Sequence, residues 1–290
     1  MARNFPLKLS AKDFKNIIFS HGWMALAPYE YEEKTLSLKF PYDTPSGRGI
    51  VEIRAAGGKC ELVAHKGSMK NAQKTAERVL ALDVDFKKVY RLAGSDPDFD
   101  WLKKRKYGRL LRTPTLFEDC LKTIFSANTV FKRTITMTQK LVETYGEKID
   151  GLQAFPTPQR LVKVKEDELR NKIGCGYRAP YLRSLFKTAL EKPEIFLGDG
   201  WKELTNERFA EELLAVKGIG PGAVNNIGCI YQKPAGFVID SYVVKRAEEL
   251  WGVKPDKLEK YLHDKYARFE AFAPIVFWFD MVRHWQENKE

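Results

Sequence analysis

Residues 213–246 read LLAVKGIGPGAVNNIGCIYQKPAGFVIDSYVVKR. An apolar helix end runs into Gly-Ile-Gly-Pro-Gly, a second helix follows, and after a Pro-containing loop a single acid, Asp240, stands in an apolar run. A helix N-terminus carries unpaired N–H groups and a partial positive charge. Glycines ahead of it let the backbone turn tightly and approach a ligand closely. Gly218, Gly220 and Gly222 are therefore expected to present N–H groups to a phosphate, although an ordinary tight helix–helix turn would use the same residues. An acid in apolar company is a helix cap or a working group. Asp240 can be both, because it directly precedes the helical pattern SYVVKRAEELWG.

The rest of the chain supports a polyanionic partner. It has 290 residues and a net charge of +11, a balance that favours nucleic acid first and an anionic membrane second. The N-terminal stretch MARNFPLKLSAKDFK has no apolar core of signal-peptide length, and APIVFWF at 273–279 is among the longest apolar runs, far short of a membrane span. A cytoplasmic, nucleoid-associated protein is expected in a bacterium and a nuclear one in a eukaryote. Cys60, Cys120, Cys175 and Cys229 are widely spaced, which argues for reduced buried thiols and against a metal or iron–sulfur site.

Hydrophobic periodicity divides the chain in two. TLSLKF alternates, and GIVEIRAAGGKCELVAHKG reads as a hairpin turning at Gly57-Gly58. Ser68 is placed to cap MKNAQKTAERVLAL, and SDPDFDW reads as a turn or linker. From about residue 113 the period becomes helical. TPTLFEDCLKTIFSAN starts with a cap-and-proline signature, and PQRLVKVKEDELRNKIG, APYLRSLFKTALEK, NERFAEELLAV, PDKLEKYLHDKYARF and PIVFWFDMVRHWQE continue the series. The expected class is α+β: an N-terminal antiparallel sheet unit over 1–105, then a helical array over 106–290. Within the array a helix–hairpin–helix is expected near 207–231 and the Asp240 loop near 232–246.

The glycine hairpin, followed eighteen residues after Gly222 by Asp240 and a helix, resembles the helix–hairpin–helix (HhH-GPD) DNA glycosylase superfamily. The resemblance implies that Asp240 is the catalytic residue. YGRLLRTPTLFEDCLKTIFSANTVFKR and KIGCGYRAPYL resemble the 8-oxoguanine DNA glycosylase branch. By that likeness Asn128, Arg133 and Arg178 fall where the family reads the estranged cytosine, and Tyr177 where a wedge fills the stack. Arg and Asn offer donors to a base edge, and an aromatic wedge offsets the stacking lost on base flipping. Taken singly, the same residues would read as a surface Asn, two solvated Arg and a core Tyr.

The departures from that branch carry as much information. Its lyases place a Schiff-base Lys where this chain has Gly222, and glycine has no amine. Its base-sandwiching Cys corresponds to Asn226, its base-reading Gln to Ala273, and its stacking Phe to Phe277, with Trp278 and Phe279 nearby. A pocket that stacks more than it reads an edge suits alkylated purines, as in the alkylpurine DNA glycosylase branch. The resemblance thus implies a monofunctional glycosylase, acting on 3-methyladenine or 7-methylguanine ahead of 8-oxoguanine. It would work as a monomer on damaged double-stranded DNA, with no cofactor, no metal and no membrane. The basic run KKRKYGRLLR, 103–112, would track the backbone or stand as a solvated loop. The competing reading is a non-catalytic DNA-binding or damage-sensing protein that kept the hairpin and lost the chemistry.

Overall fold

The computed structural model describes residues 3–94 and 96–287. Strand β1 (Arg3–Ser10) leads into α1 (Ala11–Ile18), whose first turn is capped by the Ser10 side chain. Strands β2 (Glu30–Glu32), β3 (Ser37–Thr44), β4 (Gly47–Ala56) and β5 (Lys59–Lys66) complete an antiparallel sheet ordered β1-β5-β4-β3-β2. The β4–β5 hairpin turns at Gly57-Gly58, as its sequence requires. Alternation buries Leu38, Phe40 and Tyr42 of β3 and Val51 and Ile53 of β4. Helix α2 (Met69–Val79), capped by Ser68, adds Ala72, Ala76 and Val79 to the core.

Helices α3 (Lys87–Ala93) and α4 (Asp100–Arg105) lead to α5 (Leu116–Ser126). Thr115 caps α5 by accepting from Glu118 N at 3.2 Å, and Leu116 to Phe125 are all buried. A helix covered on every side must neutralise its own polar groups. Glu118 pairs with Lys122 at 2.7 Å. Asp119 accepts from Trp23 Nε1 at 2.7 Å, Tyr231 OH at 2.6 Å and Thr113 N at 3.2 Å. Helix α6 (Phe131–Tyr145) follows. Its β-branched content (Thr134, Ile135, Thr136, Thr138) hides a helix from propensity, and packing of Met137, Leu141 and Val142 secures it.

A two-strand ribbon, β6 (Lys148–Ile149) and β7 (Leu152–Gln153), precedes the region expected to form one helix over PQRLVKVKEDELRNKIG. That region is broken into α7 (Pro158–Leu161), α8 (Glu166–Glu168) and a π turn over Leu169–Ile173. The carbonyls of Val162 and Val164 accept from Arg183 Nη1 at 3.1 and 2.7 Å, so they do not continue a helical ladder. Then come α9 (Ala179–Glu191), α10 (Pro193–Phe196), α11 (Asn206–Leu214), α12 (Pro221–Tyr231), α13 (Ser241–Trp251), α14 (Pro255–Tyr266) and α15 (Ala273–Glu287).

One apolar cluster runs from the sheet through α5 to α15. Helix α15 returns to the N-terminal part: Trp278 Nε1 donates to Ser20 O at 3.0 Å, and Phe279 stacks on Tyr107 with centroids 5.2 Å apart. Within the basic run 103–112, Lys103, Lys104 and Lys106 are exposed, but Arg112 is buried. Arg112 donates to Ile230 O and Asp83 at 3.0 and 2.9 Å and lies over the Trp201 ring. The run is therefore not one backbone-tracking ribbon: its last arginine is part of the core. Among the described residues no helix is long and apolar enough to cross a membrane. All four cysteines are free and buried.

Candidate active site and nucleic-acid interface

Helices α11 and α12 pack through Leu213, Val216 and Ile219, all buried, and leave the turn between them outside. Gly218 has φ +95°, and a Cβ there would fall 2.3 Å from Cγ of Tyr181. Both conformation and space exclude a side chain. Gly220 is extended, at φ −95° and ψ 179°, and serves as N-cap with Pro221 at the first helical position. Neither Gly220 nor Gly222 has any atom within 4 Å of a built Cβ. The tight-turn argument thus holds for Gly218, whereas Gly220 and Gly222 keep the backbone bare. The first-turn amides of Gly222 and Ala223 have no carbonyl behind them.

The loop after α12 runs back along that helix. Lys233 N donates to Gly228 O at 2.8 Å, and Asn225 Nδ2 donates to Phe237 O at 2.9 Å. A side chain at Gly228 would meet Lys233 O at 2.6 Å, so the close approach needs glycine. The two ties climb α12 by nearly a turn. Asp240 follows three residues after the second tie. Asp240 is the N-cap of α13, its Oδ1 accepting from Val243 N at 2.8 Å. Its apolar flanks suggested a desolvated acid, but Asp240 is exposed. Val238 turns inward and Asp240 outward, so the apolar run anchors the loop and does not bury the acid.

A small cavity of about 10 Å³ lies behind this loop, room for about one water. Its wall combines His21, Asn226 and Cys229 with Ile230, Val238 and Trp278. Asn226 Oδ1 is buried without a hydrogen-bond partner. Burial lowers the His21 pKa to about 4, against an opposing hydrogen bond to Leu111 O, so the ring is neutral. Its Nε2 meets Leu111 O at 2.7 Å. A carbonyl only accepts, so Nε2 carries the proton and Nδ1 keeps a lone pair. Burial pushes the Cys229 thiol up to about 12. The wall thus carries no formal charge. Phe277, expected in the pocket, is fully buried and packs on Phe237 and Tyr266 with centroids 5.6 and 5.7 Å apart. The helix turns Trp278 toward the cavity in its place. Larger hollows lie elsewhere, one of about 270 Å³ over Glu118 between β3 and α5 and one of about 560 Å³ beside Trp101 and Trp251. Neither touches the hairpin or Asp240.

Two apolar loops project nearby. Asn128 is exposed with φ +49°, a left-handed conformation asparagine tolerates. After it Val130 and Phe131 are 68% and 42% exposed, and Tyr177 on the second loop is 52% exposed. The Phe131 ring rests on Gly22, next to His21. Arg133 is exposed on α6. Arg178 is buried, its Nε donates to Ile124 O at 3.1 Å, and its Nη2 donates to Ala127 O. Those bonds close the end of α5 and fasten the two loops together. Tyr177 and Tyr181 meet edge to face at 6.0 Å, linking the second loop to the hairpin.

The family described as HhH-GPD superfamily base excision DNA repair protein matches residues 121–269, a span that holds the hairpin, the returning loop and Asp240. The chain belongs to the HhH-GPD superfamily. It is 25% identical over 96 residues to a putative DNA-3-methyladenine glycosylase, YfjP, of Bacillus subtilis. That match spans 32% of this chain and 31% of the relative. Two solved structures share this chain's fold along nearly its whole length. A 3-methyladenine DNA glycosylase from Archaeoglobus fulgidus superposes with a TM-score of 0.72 at 20% identity, covering 97% of this chain and 98% of that one. An 8-oxoguanine glycosylase/lyase from Clostridium acetobutylicum, bound to double-stranded DNA with cytosine opposite 8-oxoguanine, superposes at 0.68 and 20% identity, covering 99% of each. Sequence reasoning passed over His21, Asn225 and the pair Val130–Phe131. The isolated histidine in SHGW was the visible signal for the first, but its hydrogen-bond partner, Leu111 O, lies 90 residues away.

Proposed function

We propose that the protein is a monofunctional DNA glycosylase that hydrolyses the N-glycosidic bond of a damaged purine flipped out of double-stranded DNA. The carrying observation is the returning loop, tied twice to α12 and ending in an exposed carboxylate, Asp240, that engages one oxygen as the cap of α13. The hairpin amides at Gly218, Gly220 and Gly222 hold a phosphate, and the sugar of the flipped nucleotide then lies beside Asp240. The C1′–N bond breaks with its electron pair leaving on the base. Asp240 stabilises the oxocarbenium-like sugar. Water attacks C1′ and loses its proton to Asp240 or to solvent. Tyr177 fills the stack, with Asn128 and Arg133 facing the opposite strand.

Alkylpurines stand ahead of 8-oxoguanine on this reading. The cavity wall is uncharged and contains the Trp278 ring, an environment that attracts a cationic base. A cationic alkylpurine is also a good leaving group that needs no general acid. The cavity must widen to admit any base, and the sheet-bearing part, residues 1–105, and the helical part, 106–290, are its two sides. A monomer suffices.

The test is base release from duplexes containing methylated and oxidised purines, read by mass spectrometry for the wild type and Asp240→Asn. Release by the wild type alone supports the reading. Equal release by both overturns the role of Asp240, and tight binding without release makes the protein a damage-sensing module. Borohydride trapping should give no covalent adduct with the wild type and should give one with Gly222→Lys, since a side chain there has open space.

A further inference from the structure

We infer that the hollow between β3 and α5, which touches neither the hairpin nor Asp240, is a binding site for an aliphatic diamine. The inference does not depend on the glycosylase reading. The hollow measures about 270 Å³, and both parts of the chain supply its walls, through the segments 41–45, 114–118 and 155–159 and through Leu197. Two carboxyl side chains, Asp43 and Glu118, line it, and among the described residues no lysine, arginine or histidine does. Five prolines line it as well. Proline has no N–H to donate, so these stretches offer carbonyls and no donors of their own. The rings of Tyr42, Phe117 and Phe155 belong to the same wall. Carboxylates, carbonyls and ring faces together suit a ligand group that is positively charged and carries donors only, which describes an ammonium.

Glu118 is 2% exposed and pairs with Lys122 through Oε1 at 2.7 Å, and among the described residues no hydrogen bond reaches its Oε2. A carboxylate has about four acceptor sites, so one lysine leaves it under-used. Burial raises its pKa to about 7, against the pull of Lys122. Burial also raises that of Asp43, whose partner Arg48 stands 3.7 Å away and is shared with Glu147 at 3.1 Å. Both acids are thus short of positive charge. The fold already holds one ammonium in these surroundings: Lys122 Nζ lies 4.9 Å over the Tyr29 ring and 5.6 Å over the Phe155 ring. Two carboxyls call for two ammonium groups, and an alkyl chain between them suits the proline and phenylalanine walls. The larger hollow beside Trp101 and Trp251 differs, because its rings and its buried acid are already served. Lys265 covers Trp251 at 3.9 Å, Arg283 covers Trp101 at 4.6 Å, and Asp280 accepts from Tyr266 and Arg283.

The test is calorimetric titration of the full chain with 1,4-diaminobutane, alongside thermal denaturation. One-to-one binding and a raised thermal midpoint are expected, because the ligand touches both parts of the chain. The uncharged 1,4-butanediol, with the same alkyl chain, should give neither. Asp43→Asn and Glu118→Gln should each weaken binding at least about tenfold. Asp43 is only partly buried, so its variant carries the test if Glu118→Gln does not fold. Wild-type affinity in folded Asp43→Asn, or an equal midpoint shift from sodium chloride at matched ionic strength, overturns the site. Butylamine has one ammonium and should bind more weakly, and equal binding overturns the pairing of two ammonium groups with two acids. A lysine blocked at both ends stands for the side chain of a protein partner. It should also bind more weakly than the diamine, and tighter binding overturns a free diamine as the occupant.

Discussion

Asp119 and Asp240 both stand in first turns or caps of helices, and their surroundings could hardly differ more. Asp119 is completely buried and spends its two oxygens on Trp23, Tyr231 and Thr113. Burial pushes its pKa up, and the donors and Lys122 pull back. Asp240 is exposed and accepts from Val243 N on a single oxygen. The first carboxylate joins α5, α12 and the Trp23 turn into one body. The second has an oxygen left over. A carboxylate whose lone pairs are all engaged holds a structure together, and one that is half engaged can also act on something from outside.

The strongest way to break this comparison is Asp240→Asn. Base release should fall at least about a thousandfold, with the thermal midpoint nearly unchanged, because asparagine caps a helix as well as aspartate. A large loss of stability would show that Asp240 is structural after all. Asp119→Ala should behave in the opposite way. Three buried donors lose their acceptor, at a cost of roughly 3–4 kcal/mol in urea denaturation.

The comparison sharpens one residue earlier, at Glu118. Burial raises its pKa from 4.5 to about 7, with Lys122 opposing, while that of His21 is lowered from 6.5 to about 4. Glu118 contributes stability that is full below pH 4.5 and lost as pH rises through about 7. His21 contributes stability that is present above pH 6.5 and lost as pH falls through about 4. Each shift corresponds to about 3 kcal/mol, with opposite signs, so the two nearly cancel between pH 4.5 and 6.5. Glu118→Gln should therefore make the protein lose stability on acidification over that window, and His21→Phe should make it gain, both read from denaturation midpoints. The smallest expected effect lies in the hairpin. Gly218→Ala should cost about 1–2 kcal/mol in thermal stability and weaken DNA binding, whereas Gly222→Ala, which meets nothing, should leave stability unchanged.

Much of the fold was legible because local signals and packing agree there. Ser68 caps the helix it was expected to cap and Gly57-Gly58 turns the expected hairpin, while the helix start signalled by Thr113-Pro114 falls two residues later, with Thr115 as its cap. The hairpin and the cap at Asp240 were legible for the same reason: a dozen consecutive residues specify them. Arg178, Arg112 and Phe277 were misplaced because their surroundings are assembled from distant segments. A guanidinium reads as solvated until Ile124 and Ala127, or Asp83 and Ile230, come round to meet it. Phe277 and Trp278 differ by 100° around one helix, and only the tertiary packing decides which of them faces the cavity. Helix α6 was missed because its threonines lower helix propensity and its burial supplies what propensity lacks.

The doubly tied loop behind α12 acts as a ruler. Its bonds at Lys233 and Phe237 count residues from the helix end, so a residue inserted between the two ties would bulge outward and leave Asp240 where it stands. One inserted between Phe237 and Asp240 would slide the carboxylate along α12. The first stretch can therefore drift in length and composition between descendants of this chain, while the three residues before the acid cannot.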